Sequence, residues 1–393
     1  MKTLNDFNFE NKKALIRVDL NVPLDKDFNV TDTTRIEAIK PTVIKILEDG
    51  GSAILMSHLG RPKGKQEEFS LKHIVDKVQE ILGVQVKMAP DCIGADVEAL
   101  AADLEPGEIL LLENLRYYKE ETAGDKEFAK KLAKLGDIYI NDAFGTAHRA
   151  HASTAIVAEF FEEKGAGYVI EAEIVNAKKV LETGVAPITA IMGGSKISDK
   201  ILIVEKLLSI ADNIIIGGGM SYTFVKALGG DIGMSLCEED KLDLALELLK
   251  KAEENNVKII LPLDTVIADD FSNDANIKTV KRGMIPEKWE GLDIGPATRE
   301  QFSEIIENSK TVIWNGPMGV AEMENFAQGT IAIAHAVKNA TAKGAFSLIG
   351  GGDSAAAINN LGFGNDVSYV STGGGALLEY MEGKVLPGIA AIS

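Results

Sequence analysis

Short β-branched apolar runs alternate with longer stretches of helical period along this chain of 393 residues. The first half offers ALIRVDL, SAILMSH, EILLLEN and DIYINDAF as strands. The second half offers PITAIMGG, NIIIGGG, KIILPLD, TVIWNGP, FSLIGGG and VSYVSTGGG. Between them lie amphipathic segments such as KEFAKKLAKLGD and KLDLALELLKKAEENN, whose apolar positions fall three and four apart. Continuous apolar strands are buried on both faces, which predicts parallel sheets covered by helices. The chain is too long for one ordinary core. The expected fold class is therefore α/β, with two doubly wound, Rossmann-like parallel-sheet domains joined by a hinge helix. The segment GAGYVIEAEIVNAKKVLETG predicts that helix, bracketed by Gly165, Gly167 and Gly184. The expected boundaries are 1–167 for an N-terminal domain, 168–183 for the interdomain helix and 184–378 for a C-terminal domain.

Open α/β sheets bind ligands beyond the carboxyl ends of their strands, so the way each run ends carries information. First-half strands end in Asp19 and Asn21, in His58 and Arg61, in Glu113, Asn114 and Arg116, and in Asp142. Second-half strands end mostly in glycine: Gly193-Gly194, Gly217 to Gly219, Asn315-Gly316-Pro317, Gly350 to Gly352 before Asp353, and Gly373 to Gly375. One domain thus presents polar and cationic side chains, and the other presents bare backbone.

In the second domain, GGSKISDKILIVEKLL predicts a helix with Ile197, Ile201, Val204 and Leu208 on its apolar face. That period puts Lys196 and Lys200 in the first turn, where the helix dipole disfavours cations unless a polyphosphate binds there. GGGDSAAAINNL places a glycine run directly before a helix, a device that brings free N–H groups to phosphate oxygens. Asp353 then stands where a Mg2+ shared with phosphates would be held, or else serves as an ordinary N-cap. STGGGALLEY repeats the arrangement, whereas Gly217 to Gly219 also suit tight strand-to-helix packing. Neither a Walker sequence nor a complete GxGxxG fingerprint is present.

In the first domain, Asp19, Asn21, His58, Arg61, Arg116 and Arg149 lie at strand ends or in the turns after them, with Arg35 at a helix start. Such a set suits a ligand bearing both carboxylate and phosphate, with Asp19 or Asn21 on a hydroxyl. The arginines are unevenly spread: Arg17, Arg35, Arg61, Arg116 and Arg149 come first, and only Arg282 and Arg299 follow. The net charge of -18 excludes nonspecific attraction to nucleic acid or anionic membranes, which makes that basic cluster more informative. His148 and His151 lack a third ligand at metal spacing, and Cys92 and Cys237 form neither a disulfide framework nor a zinc pattern. MKTLNDFNFENKK has no apolar core of signal-peptide length, so a cytoplasmic enzyme is expected.

Taken in order, RVDLNVPL, SHLGRP, LLENLR, DAFGTAHRAH, GGSKISDK, WNGPMGV, GGGDS and STGGG resemble the phosphoglycerate kinase family over essentially the whole chain. The resemblance implies reversible phosphoryl transfer between 1,3-bisphosphoglycerate with ADP and 3-phosphoglycerate with ATP, using Mg2+, in glycolysis. By matched position it implies that Asp19, Leu20, Asn21, Arg35, His58, Leu59, Gly60, Arg61, Arg116 and Arg149 bind the glycerate substrate. Lys196, Lys200, Gly291, Pro317, Val320, Glu322, Gly351, Gly352, Asp353 and Ser354 would bind the nucleotide, with Asp353 on the magnesium. Arg35, Lys196, Gly352 and Gly375 would serve the transfer itself. The family also implies a monomer, no nucleic-acid or membrane partner, and a tail, 379–393, packed on the N-terminal domain. Ser195 stands where the family mostly has alanine, Ala321 where phenylalanine is common, and Ala297 where many bacterial members have lysine. The alternatives are another ATP-dependent carboxylate kinase or ligase, which would lack the arginine set, and a hinged anion-binding protein, which is typically exported.

Overall fold

The computed structural model describes all of residues 1–393. It divides into a first unit, Met1–Val175 with Gly383–Ser393, and a second, Asn176–Glu382. The division falls inside the helix Tyr168–Leu181.

The first unit is built on β1 (Lys13–Val18), β2 (Ser52–Met56), β3 (Val86–Met88), β4 (Ile109–Leu111), β5 (Ile138–Asp142) and β6 (Lys164–Ala166). They form one parallel sheet in the order β3-β4-β2-β1-β5-β6. The chain leaves β1 toward β2 and later returns to β5 on the other side, so the topological switch lies between β1 and β5. Ile16 and Val18 of β1 pack with Ile36, Ile39 and Val43 from the helix Thr34–Glu48. Each such buried side chain contributes about 1.5–3 kcal/mol. The C-terminal segment joins this unit through Gly388, whose N–H donates to Ala147 O at 2.8 Å.

The second unit carries β7 (Ile188–Met192), β8 (Asn213–Ile216), β9 (Asp231–Ile232), β10 (Lys258–Ile260), β11 (Asp264–Ala268), β12 (Ile277–Lys281), β13 (Met284–Ile285), β14 (Glu290–Ile294), β15 (Thr311–Asn315), β16 (Phe346–Gly350) and β17 (Tyr369–Val370). Its main sheet is parallel, in the order β10-β8-β7-β15-β16-β17, with the switch between β7 and β15. Trp314 and Ile349 anchor its core against Phe302, Ile333 and Val337 from flanking helices.

The two parallel sheets agree with the pattern of apolar runs, but four features depart from the sequence reading. β3 and β6 are only three residues long, too short to show a period. The run KIILPLD is two elements: β10 stops at Ile260, and β11 begins at Asp264 in a separate antiparallel sheet ordered β12-β11-β14. β12 is largely exposed and reads IKTVK, so a search for apolar strands passes over it. Finally, the helix predicted to include Lys196 starts only at Ile201. Residues 193–200 form a loop, in which Glu238 accepts the N–H groups of Ile197 and Ser198 at 2.6 and 3.1 Å. No helix is long and apolar enough to cross a membrane.

Candidate active site

In the first unit, the turn after β1 and the turn after β2 are bound to each other. Gly60 N–H donates to Asn21 Oδ1 at 2.8 Å, and Asn21 N–H donates to Asp19 Oδ1 at 3.1 Å. Arg35, reaching from the start of its helix, donates from Nη1 to Asn21 O at 2.6 Å and lies 3.4 Å from Asp19 Oδ1. Arg116 donates from Nη1 to Gly60 O at 2.9 Å, so a second guanidinium braces the same turn. Gly60 is required there: its φ is +63°, and a Cβ would lie 2.4 Å from the ring of Phe69. Arg61, Arg116, Arg149 and His151 line a cleft of about 570 Å³, and Asn21, Asp32 and Arg35 line a neighbouring one of about 350 Å³.

Positive charge accumulates in this region. Burial and the nearby Arg17 and Arg149 push the Arg116 guanidinium down to about 10. Burial, with Arg17, Arg116, Arg35 and His151 facing it, holds the His58 imidazole well below the usual histidine range. Burial, with Arg116, Arg17 and Arg149 nearby, pushes His151 down to about 4. Both rings are therefore neutral near pH 7.

The structure brings Asp19, Asn21, Arg35, Gly60 and Arg116 into one connected set, with Arg61 and Arg149 exposed along the cleft. Leu20 and Leu59 differ from the rest. Both side chains are buried, Leu20 N–H donates to Ser57 Oγ, and both backbone groups of Leu59 are taken by the Asn114 amide. Asn114 is a support that sequence reasoning noted at a strand end and passed over. It also accepts from Arg116 N–H at 3.0 Å and donates to Phe69 O at 2.8 Å.

In the second unit, the strand-end glycines interlock. Gly193 packs on the Pro317 and Gly316 carbonyls, and Gly218, at φ +64°, packs on Gly194. Beside them lies a cavity of about 400 Å³ with apolar walls from Leu236, Gly291, Leu292, Pro317 and Val320, and with Glu322 and Asp353 at its polar border. Gly291 meets Tyr222 so closely that a Cβ would lie 2.1 Å from its hydroxyl. Glu322 and Asp353 also border a second hollow of about 320 Å³, which Ala321 lines.

Gly351, at φ +85°, precedes the helix Gly352–Asn360, and open space lies in front of Gly352, Gly374 and Gly375. Lys200, at the N-cap of the helix Ile201–Leu207, donates to Asn315 Oδ1. Burial pushes its ammonium down to about 8, with Asp199 and Asp353 offsetting only part of the cost. Lys196 is exposed in the preceding loop. Ser354 is fully buried and accepts Gly316 N–H at 2.7 Å, so its hydroxyl ties two turns together.

Two further residues acquire a role only in three dimensions. Asn315 Nδ2 is buried without a partner, about 3 Å from where a Gly351 Cβ would sit, a donor directed at the glycine turn. Glu238 shapes the loop that carries Lys196. No group of three His, Cys, Asp or Glu side chains could cage a metal. The lone exposed carboxylate of Asp353 at a helix start nevertheless fits Mg2+, which takes one or two carboxylates and completes its shell with phosphate and water.

An arginine-lined cleft in one unit and glycine turns beside an apolar cavity in the other are features that suit a phosphoryl-transferring enzyme, a kinase. The phosphoglycerate kinase family model matches residues 4–384. A phosphoglycerate kinase from Porphyromonas gingivalis is 54% identical over 415 residues, covering 99% of each chain. A cytosolic phosphoglycerate kinase from Triticum aestivum is 52% identical over 390 residues, covering 99% of this chain and 97% of its own. The structure of phosphoglycerate kinase from Coxiella burnetii superposes with a TM-score of 0.87 at 39% identity, covering 100% of this chain and 98% of that one. The chain belongs to the phosphoglycerate kinase family and is a phosphotransferase.

Proposed function

We propose that the chain catalyses reversible, magnesium-dependent phosphoryl transfer between 1,3-bisphosphoglycerate with ADP and 3-phosphoglycerate with ATP. The observation that carries this reading is charge imbalance. Of the first-unit arginines, only Arg35 has a carboxylate within ion-pairing distance, Asp19 at 3.4 Å, in a protein of net charge -18. Guanidinium groups left uncompensated in an acidic protein suit a ligand that brings its own phosphate and carboxylate. Asp19 and Asn21 would take its hydroxyl, and Arg61, Arg116 and Arg149 its anionic groups. Apolar walls at Gly291, Pro317 and Val320 would receive the base, Glu322 the ribose, and Lys196, Lys200 and the Gly351-Gly352 turn the phosphates.

Phosphoryl transfer asks mainly for positioning and charge compensation. In this reading the transfer is direct and in-line, with Arg35 and Lys196 offsetting the charge that develops on the moving group. The N–H groups at Gly352 and Gly375 would face the same charge. Asp353 would hold Mg2+, whose chemistry is to neutralise the nucleotide phosphates. The two ligand sites belong to different units, so transfer requires the units to close, with the helix Tyr168–Leu181 as the hinge. Closure would also exclude the water that would hydrolyse an acyl phosphate. The reading places the enzyme in the cytoplasm as a monomer.

The test is turnover of Mg-ATP and 3-phosphoglycerate, followed by coupling 1,3-bisphosphoglycerate formation to NADH oxidation. Arg35→Ala and Lys196→Ala should each lower kcat far more than they raise either KM. Nucleotide binding without turnover would overturn the substrate assignment, and equal losses in kcat and affinity would overturn the transfer roles.

A further inference from the structure

Beneath the arginine cleft runs a buried polar chain that substrate binding does not by itself explain. Arg17, in β1, is fully buried. It donates from Nε to Ser153 Oγ at 2.9 Å, from Nη1 to Val18 O, and from Nη2 to His58 Nδ1 at 3.2 Å. Ser153 in turn donates its hydroxyl to Glu121 Oε1 at 2.6 Å and its N–H to Glu121 Oε2 at 3.0 Å. Glu121 is itself fully buried, with its carboxyl pushed upward by burial and pulled back by Arg17.

A guanidinium carries only donors. His58 Nδ1 must therefore accept and carries no proton. A second proton on the ring is opposed by burial and by Arg17, Arg116, Arg35 and His151, which all face it. The carboxylate at the end of the chain, Glu121, has both of its oxygens engaged by Ser153. A neutral ring with an accepting Nδ1 has its proton on Nε2, which has no partner within the protein.

We infer that Glu121, Ser153 and Arg17 are positioning residues that fix His58 in the Nε2–H tautomer, so that the ring presents a neutral donor to the ligand of the arginine cleft. The tautomer follows from the protein alone; only the identity of that ligand rests on the function proposed above. A neutral donor adds direction without adding to the charge of the arginines. It also keeps the cleft's charge constant across physiological pH.

The experiment is nitrogen NMR on the full chain labelled with 15N-histidine, which has five histidines, with His58 assigned by its loss in His58→Gln. The expected result for the free protein is a His58 ring with Nδ1 bare and Nε2 protonated, unchanged between about pH 5.5 and pH 8. In Ser153→Ala, the Nδ1–H tautomer or a titration near the ordinary histidine value should appear. The KM for 3-phosphoglycerate should rise about tenfold, the weight of one hydrogen bond to a charged group, while kcat changes much less. His58→Gln, whose amide reaches toward the Nε2 position, should retain more affinity than His58→Asn. Arg17→Met repeats the test if it folds; Ser153→Ala and the unaltered chain suffice if it does not. An Nδ1–H tautomer in the unaltered chain, an ordinary titration of His58, or Ser153→Ala spectra identical to those of the parent would overturn the inference. The nitrogen shifts are read without ligand, so a wrong substrate assignment would leave them standing and show only in the KM.

Discussion

Lys200 gives the proposed nucleotide site a dependence on pH. Its ammonium is half-buried at a helix N-terminus, bonded to Asn315, and pushed from 10.5 to about 8 by burial. In the free protein this group is about nine-tenths protonated at pH 7 and about one-tenth at pH 9. A bound polyphosphate holds the proton on. Affinity for ADP should therefore fall roughly tenfold from pH 7 to pH 9. The phosphates themselves do not mask the effect, since their last ionisation lies near pH 6. The same shift costs the free protein stability. Between about 8 and 10.5 the unfolded chain holds a proton that the folded state has released, so stability rises with pH across that window. The full difference is about 3 kcal/mol as an upper bound. Calorimetric titration of ADP at pH 7, 8 and 9 is the assay, with Lys200→Met as the control. The variant should bind more weakly at pH 7 and show no fall toward pH 9. A flat affinity in the unaltered protein, or an equally steep fall in Lys200→Met, would refute the assignment of this lysine to the phosphates.

Gly60→Ala combines a left-handed backbone with a 2.4 Å approach to Phe69, so it should cost about 2–4 kcal/mol in urea unfolding and weaken binding of the glycerate substrate. Asp142 accepts from Val169 N–H at 2.8 Å at the start of the helix Tyr168–Leu181, and burial pushes its carboxyl up to about 7. Its raised value makes stability greatest below pH 3.8 and lowers it as pH climbs to about 7; in Asp142→Asn, urea midpoints should vary less between pH 5 and pH 8. Asp353→Asn should raise the Mg2+ concentration needed for half-maximal turnover about tenfold or more, while leaving 3-phosphoglycerate binding in place; an unchanged Mg2+ requirement would remove Asp353 from that role.

Much of this was legible because parallel α/β sheets place chemistry where strands end. Apolar runs such as ALIRVDL and TVIWNGP locate β1 and β15, and the residues at their carboxyl ends, Asp19 just after β1 and Asn315 closing β15, fall at the topological switch points. The separation into a cationic unit and a glycine unit needs only that rule. The antiparallel strands were hidden because β12 is exposed and polar, so its stability comes from pairing with β11 and leaves no apolar run to read. The supports were hidden for a different reason. Arg17 reads as one more strand arginine, and its burial against Ser153, 136 positions away, is a tertiary fact.

The lysine pair shows how a local argument can be wrong about geometry and still select relevant residues. A continuous helical period over Ile197, Ile201 and Val204 predicted that Lys196 and Lys200 share a first turn. That period was real in sequence, since Ile197 and Val204 are both fully buried. The backbone between them is not helical, however: the helix starts only at Ile201, and Glu238 accepts the N–H groups of Ile197 and Ser198 in the loop before it. Lys196 is consequently carried on a loop and exposed, while Lys200 is drawn inward to Asn315. The two cations are thus unequal: one is solvated and free to reach a ligand, and the other is desolvated and tuned. A single helix turn would have given both the same environment. The loop explains why Lys200 carries the pH response argued above and why the transfer role proposed above falls to Lys196.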